Sequence, residues 1–163
     1  MSSIRWLHLS DFHVGKDNYG QRKLFSQIHR NVAARIAAGF IPDFVFLSGD
    51  IANKGKAEEY EEFIDSFLLP LILVLGDDWS GSIFSIPGNH DVQRDKSKFF
   101  NPQEVLKAPD HLFDPTEQGM EQREQFATRF ENYIRSELTN SPSKWIASNE
   151  AAFSHVSAVR GES

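Results

Sequence analysis

The chain has 163 residues, a formal net charge of −6 and no cysteine. Its length fits one domain, and its composition, 40% apolar and 25% charged, is ordinary for a globular protein. No apolar run approaches the roughly 18 residues of a transmembrane helix, and the N-terminus lacks a signal-peptide pattern. The negative total argues against binding nucleic acid through bulk charge. The absence of cysteine excludes disulfides and thiolate ligands, and we expect a cytoplasmic protein.

The first 92 residues predict an α/β fold in which strands and helices alternate as βαβαβ. The predicted strands are Ile4–Leu9, which we expect to be mostly buried, the buried stretch DFVFLSGD, which starts at Asp43 and ends at Gly49-Asp50, and Ser82–Ile86. The predicted helices are Gln21–Ala38, ended by Gly39, and Ala57–Leu75, bent or broken near Pro70. This alternation indicates a parallel sheet with right-handed crossovers.

After Val92 the sequence becomes polar and irregular. A helix is predicted over residues 116–138, with Asp114 as its cap and Pro115 in its first turn. Phe153–Val159 is a weak strand candidate. We therefore expect a single domain over residues 1–163, in which 1–92 form the core and 93–163 a polar loop and helical insertion.

Each predicted strand ends in residues of types that bind metal ions. The first is followed by Asp11 and His13, the second by Asp50, and the third by Asn89 and His90. The intervals from Asp11 to Asp50 and from Asp50 to Asn89 are both 39 residues, and each fits one strand–helix crossover. The carboxyl ends of parallel strands share one edge of a sheet, where ligands of open α/β sheets bind. Asp11 and His13 would point the same way in extended backbone.

These side chains suit divalent cations, although each motif taken singly also reads as an ordinary turn. A carboxylate and an imidazole together bind zinc, iron or manganese, and a second carboxylate can bridge two ions. Two ions about 3.5–4 Å apart would clamp a phosphoryl group. Three such turns at consecutive strand ends favour a metal site over coincidence.

The stretches LSDFHVG, LSGDIANKG and IPGNHDV resemble the first three motifs of calcineurin-like metallophosphoesterases, across residues 4–92. The resemblance implies an αββα sandwich with two divalent ions, Mn, Fe or Zn, and a metal-activated water as nucleophile. It also implies that Asp11 and His13 bind one ion, Asp50 bridges both and Asn89 binds the second. His90 would lie beside the scissile phosphate and protonate or stabilise the leaving oxygen.

The sequence also departs from the family pattern. A later single histidine and a Gly-His-x-His motif do not occur, so the resemblance predicts the N-terminal portion of a catalytic domain with its second sheet absent. Of the other histidines, His8 is predicted to be packed in the core, His29 to flank the first helix and His111 to lie in a loop, while His155 is a ligand candidate without the expected context. Asn53 and Lys54 replace the Asp and Arg of the protein-phosphatase motif, which argues against a protein phosphatase. The orienting of His90 would then fall to the Asn53 amide or to Asp91.

Basic residues follow the ligand motifs closely and predict a positive rim despite the negative total. They are Lys16, Arg22, Lys23, Lys54, Lys56, Arg94, Lys96 and Lys98, of which Lys16, Arg22, Lys54 and Arg94 are the predicted substrate contacts. Solvated loop lysines are the alternative explanation. The first motif region also resembles that of DNA-repair exonucleases, and the later motifs resemble bacterial phosphodiesterases, including those acting on cyclic nucleotides. We expect a phosphodiesterase acting on nucleic acid or nucleotides; a phosphomonoesterase, or a non-catalytic effector or regulatory module of a larger protein, is the alternative.

Overall fold

A three-stranded parallel sheet carries the ligand motifs in this computed structural model, which describes residues 3–16, 18–94, 103, 114–136 and 138. The strands are β1 (Trp6–Leu9), β2 (Phe44–Ser48) and β3 (Ser82–Ile86), with β2 in the middle. Both strand pairs are parallel, with Leu9 opposite Leu47 and Ser48 opposite Ile86. The predicted α/β architecture with a parallel sheet is therefore confirmed, and the carboxyl ends of all three strands share one edge.

The helices between the strands are longer and more continuous than their sequence patterns indicated. α1 (Asn18–Ala37) begins three residues before its predicted start. α2 (Ala57–Phe63) continues through a π-helical segment, Ile64–Leu68, into α3 (Leu69–Leu75). The predicted bend or break near Pro70 takes the form of this π-helical segment, and the chain stays helical through the proline. The wider π turn lies just before Pro70, where an ordinary turn would bring the ring against the preceding carbonyls.

An aromatic cluster packs the helices against the loop that follows β1. The ring of Phe12 lies 4.7 Å from Phe63 and 4.8 Å from Phe67 between centroids, and Phe25 lies 4.9 Å from Phe67. All four rings are buried, and such edge and tilted contacts stabilise a core beyond the area they bury. Phe12 therefore anchors the D-F-H motif from below.

The first two strands were predicted to be buried, but β1 has no buried residue and β2 is buried on one face only. Val45 and Leu47 of β2 are inaccessible, whereas Phe46 between them is 36% exposed. Phe46 stacks on Phe84 at 5.6 Å, and Trp6 on the adjacent strand is 59% exposed. The predicted core position of His8 is also wrong, because this residue is exposed and its Nε2 lies 2.5 Å from Ser48 Oγ. Burial on one face of a sheet cannot be read from an apolar run alone.

The C-terminal helical segment is two helices, which corrects the single predicted helix. The chain divides into two compact units, residues 1–95 with 130–140 and residues 96–129 with 141–163. In the second unit, α4 (Glu117–Thr128) is capped by Thr116, whose side chain accepts a hydrogen bond from Gly119 N at 3.3 Å. The predicted cap, Asp114, instead accepts from Thr116 N at 3.0 Å.

In the first unit, α5 (Glu131–Arg135) contacts the core through polar side chains. Asn132 Nδ2 donates to the Gly55 carbonyl at 2.9 Å, and Tyr133 Oη lies 2.6 Å from Ser85 Oγ. The strand candidate at 153–159 lies outside the described residues, and so do His111 and His155. Within the described ranges, no helix has both the length and the apolar character to cross a membrane. The division into one domain with an insertion stays a prediction.

Candidate metal centre

The loop after β1 presents Asp11 and His13 on the side opposite the core. Phe12 and Val14 alternate with them and are buried, with 5% and 0% exposure. The premise of extended backbone is wrong, because Asp11 has φ 60° and His13 has φ 49°, both left-handed. Asp and His tolerate this conformation better than most residues. Their side chains still converge, with 3.9 Å between Asp11 Oδ1 and His13 Nε2.

The loops after β1 and β2 remain paired beyond the ends of their strands. His13 N donates to the Asp50 carbonyl and Val14 N to the Ile51 carbonyl, both at 2.9 Å. Asn53 N donates back to the Val14 carbonyl at 3.0 Å. These main-chain bonds fix the separation of His13 and Asp50 because they run between the residues that carry the two side chains.

Two glycines let the loops after β2 and β3 approach closely. A Cβ on Gly88 would lie 2.2 Å from Asp50 Oδ1, and one on Gly49 would lie 3.0 Å from Gly88 Cα. Asp50 itself is left-handed at φ 52°. Asp50 Oδ1 accepts a hydrogen bond from His90 N at 2.9 Å. The G-D and G-N-H-D motifs therefore need glycine so that Asp50 and the His90 backbone can be in contact.

His13, Asp50 and His90 form a cluster whose ligand atoms lie within 4.8 Å of one another. The His13 and His90 rings meet edge to face with centroids 4.6 Å apart. His13 Nδ1 is buried and has no hydrogen-bond partner among the described residues. A buried polar atom without a partner is costly unless something outside the protein satisfies it. This donor set, two imidazoles and a carboxylate, fits a divalent transition metal.

The orientation of His90 is set by the main chain of Asn53. His90 Nδ1 lies 3.0 Å from the Asn53 carbonyl oxygen, which can only accept a hydrogen bond. Nδ1 therefore carries a proton, and Nε2 is left for a cation or a substrate oxygen. The predicted orienting groups were the Asn53 amide and Asp91, and neither is in this contact. The Asp91 carboxylate is bonded to main-chain amides instead.

The other predicted ligands lie at the rim of this cluster. Asn89 is exposed, and its side chain makes no hydrogen bond within the described residues. Asp11 is 69% exposed, and its Oδ2 accepts from Ser10 Oγ at 2.6 Å. The assignment of Asp11, His13, Asp50 and Asn89 as ligands, with His90 catalytic, stays a prediction.

The predicted substrate contacts are interspersed with acidic residues. Lys16, Lys54 and Arg94 are exposed, and Arg22 forms an ion pair with Glu62 at 3.9 Å. A cavity of about 270 Å³ opens beside the loop that carries His13 and is lined by Gly15, Lys54, Lys56, Glu58, Glu59 and Glu62. The rim is thus of mixed charge, and Lys96 and Lys98 lie outside the described residues.

Two polar side chains that hold the site loops were missed in the sequence. Gln21 of α1 donates through Nε2 to the carbonyls of Phe12, at 2.8 Å, and of His13. Glu59 of α2 is buried, and its Oε2 accepts from the main-chain amide of Lys54 at 2.9 Å. The pattern K-A-E-E contained a signal for Glu59, since a Glu three residues after a helix cap commonly bonds to backbone amides there.

The structure defines an α/β domain whose parallel sheet brings His13, Asp50 and His90, a group that could hold a metal ion, together at its carboxyl edge. The family model described as calcineurin-like phosphoesterase matches residues 4–151. The chain therefore belongs to the calcineurin-like phosphoesterase family, as its motifs predicted.

Two curated relatives are similar to the chain. One is the uncharacterized metallophosphoesterase-like protein YydB of Bacillus subtilis (strain 168), 32% identical over 110 residues, which are 65% of this chain and 21% of the relative. The other is the glycerophosphodiester phosphodiesterase GpdQ of Enterobacter lignolyticus (strain SCF1), 31% identical over 156 residues, 90% of this chain and 48% of the relative. The chain thus spans less than half the length of either relative.

Replacing His13 with Asn is expected to change the unfolding free energy of the metal-free protein by less than about 1 kcal/mol, because Asn tolerates the left-handed backbone and the buried Nδ1 has no partner to lose. Urea denaturation in the presence of a chelator measures this. The matched control is His29→Asn, which loses the contact of Nε2 with the Phe67 carbonyl at 3.0 Å and the stacking on the Phe67 ring. An equal loss of stability in both variants would contradict the assignment of His13 to ligand binding.

Proposed function

We propose that the chain is the metal-binding part of a phosphodiester hydrolase that uses two divalent ions, Mn, Fe or Zn. The convergence of His13, Asp50 and His90 at the carboxyl edge of the parallel sheet carries this proposal. The names of both relatives, one a phosphodiesterase, support it. Divalent cations, when bound, supply positive charge that activates water and stabilises the phosphoryl oxygens during displacement.

The ligands divide between two positions in this proposal. Asp11 and His13 hold the first ion, Asn89 holds the second, and Asp50 holds both. Asp50 suits that role because Oδ1 is oriented by His90 N, while Oδ2 accepts no hydrogen bond from the described residues. One oxygen is thereby fixed and the other is available for a cation.

His90 is the proposed proton donor to the leaving oxygen. Its Nδ1–H bond to the Asn53 carbonyl fixes the ring, so Nε2 is the nitrogen that can hold and deliver the proton. The Asn53 main-chain carbonyl thus orients the His90 ring, a role that a side-chain carboxylate would have at this position in the protein-phosphatase motif. A neutral carbonyl stabilises an imidazolium less than a carboxylate does, which suits a histidine that must release its proton.

The cavity beside the loop that carries His13 favours a small phosphodiester as substrate. Glutamates line this cavity together with two lysines. Lys56 forms an ion pair with Glu58 at 3.4 Å, whereas Lys54 forms no ion pair among the described residues. A polyanion such as nucleic acid would meet these carboxylates, whereas a polar alcohol group can donate hydrogen bonds to them. We therefore favour a leaving group of the glycerol type, with nucleotides as the second substrate class and Lys16, Lys54 and Arg94 as contacts.

The test is hydrolysis by this chain loaded with Mn²⁺. We expect turnover of bis-p-nitrophenyl phosphate to exceed that of p-nitrophenyl phosphate, and glycerophosphodiesters to compete better than an oligonucleotide. Chelator-treated protein is the control. Metal bound without turnover of any ester would contradict catalysis by this chain and support the binding-module alternative, while preference for the monoester would contradict the diesterase assignment.

A further inference from the structure

The carboxylate of Asp91 is buried between the two loops that carry Asp50 and His90. Its side chain is fully inaccessible to solvent. Oδ2 accepts from Ile51 N at 3.2 Å and Gly88 N at 2.8 Å, and Oδ1 accepts from Ala52 N at 2.8 Å and Tyr60 Oη at 3.0 Å. Both oxygens are therefore fully used as acceptors.

This geometry uses Asp91 as a hydrogen-bond acceptor. Three of its four partners are main-chain amides, which can only donate. Burial, chiefly, and the nearby Asp91 raise the pKa of Tyr60 well above its usual value. The phenol therefore keeps its proton and donates a hydrogen bond to Asp91. Among the described residues, no Lys, Arg or His forms an ion pair with Asp91.

Two of the four bonds, from Ile51 N and Ala52 N, link the motif after β2 to the motif after β3, and the bond from Gly88 N lies within the latter motif. Ile51 directly follows Asp50, and Gly88 lies two residues before His90, so Asp91 joins the chain on both sides of the contact between Asp50 Oδ1 and His90 N. The carboxylate can therefore act on a bound ion through the geometry of the loops that it joins.

We propose that Asp91 is a positioning residue of the metal site, which holds Asp50 and His90 in register through its buried hydrogen bonds and thereby raises the affinity for divalent cations. The inference rests on the proposed function, because it takes His13 and Asp50, which lie beside His90, to bind a cation. Asp91 itself contacts neither the substrate nor the ion in this proposal.

Metal affinity of the Asp91→Asn variant tests the proposal without turnover. Asn has the shape of Asp without its carboxylate charge. Its amide NH₂ would face two of the groups that donate hydrogen bonds to Asp91. We expect Mn²⁺ and Zn²⁺ to bind about 10–100-fold more weakly by calorimetry, the usual effect of losing a group that supports metal ligands. The matched control, Tyr133→Phe, removes a buried hydroxyl of the same unit that lies 2.6 Å from Ser85 Oγ, and the affinity of this variant should equal that of the parent chain.

A variant that melts at a lower temperature but binds both ions with the parent affinity would overturn the proposal, because Asp91 would then be structural only. Should Asp91→Asn fail to fold, amide hydrogen exchange of the parent chain replaces it. Zinc saturation should slow exchange at Ile51, Ala52 and Gly88 by at least about 10-fold more than in α1, since binding orders the loops; equal slowing would overturn the proposal. If the parent chain is inactive but its metal affinity depends on Asp91, only the proposed hydrolysis is contradicted. If the parent chain is active but its metal affinity is independent of Asp91, only this inference is contradicted.

Discussion

Replacing Asp50 with Asn is expected to weaken the binding of divalent ions by at least about 100-fold and to abolish phosphodiester hydrolysis, because a direct ligand contributes more than its supporting groups. The substitution is nearly isosteric, and the amide oxygen can still accept from His90 N. The fold should therefore persist, while the negative charge of the carboxylate proposed to bind both ions is lost. Metal content by mass spectrometry and turnover of bis-p-nitrophenyl phosphate measure the two effects.

The matched control for this variant lies at the other end of the same strand. Asp43 precedes β2, whereas Asp50 follows it, and Asp43 Oδ2 accepts from Arg5 N at 2.7 Å. Asp43→Asn should leave metal content and turnover at parent levels. Unchanged metal content in Asp50→Asn would refute the bridging role of this carboxylate.

Replacing His90 with Asn is expected to lower kcat by about 10²–10⁴-fold for esters with alcohol leaving groups, the usual contribution of a general acid. The loss should be smaller for a p-nitrophenolate leaving group, which departs without a proton. Metal content should stay near that of the parent, because His90 is assigned to proton transfer rather than to binding. Kinetics with both ester types, together with metal analysis, separate the two roles.

The position of His90 makes this result informative in either direction. Its ring nitrogen lies within the same 4.8 Å cluster as the ligand atoms of His13 and Asp50. Loss of metal from His90→Asn, with equal kinetic losses for both leaving groups, would show that His90 is a ligand and not the proton donor. His29→Asn serves as the control histidine, because its contact with Phe67 belongs to the core.

Sequence patterns predicted the strands and their direction because each strand is a short apolar run that ends in glycine, aspartate or asparagine. Ser82–Ile86 was predicted with its observed bounds, and Gly39 does follow the end of α1 with φ 88°. The ligand motifs were found for the same reason, since parallel strands bring their carboxyl ends together whatever the loops do.

The parts that escaped prediction depend on contacts between distant residues. The exposed face of the sheet, with Phe46 and His8, is decided by what packs above it and not by the strands themselves. The predicted C-terminal helix is interrupted at Phe130, where the backbone changes to φ −108°, ψ 19°. The sequence gives no signal for this interruption, because its apolar residues keep helical spacing across it. The orienting of His90 by a main-chain carbonyl leaves no trace in side-chain identity.

The left-handed backbone at Asp11, His13 and Asp50 bears on how this chain can be engineered for thermostability. Each such residue costs roughly 1–2 kcal/mol relative to ordinary backbone, and glycine at the same position would not. Since the net stability of a domain is only about 5–15 kcal/mol, glycine at these three positions would be a natural choice of stabilising substitution. The same changes would delete three proposed metal ligands, so a screen that selects on melting temperature alone would select against the site.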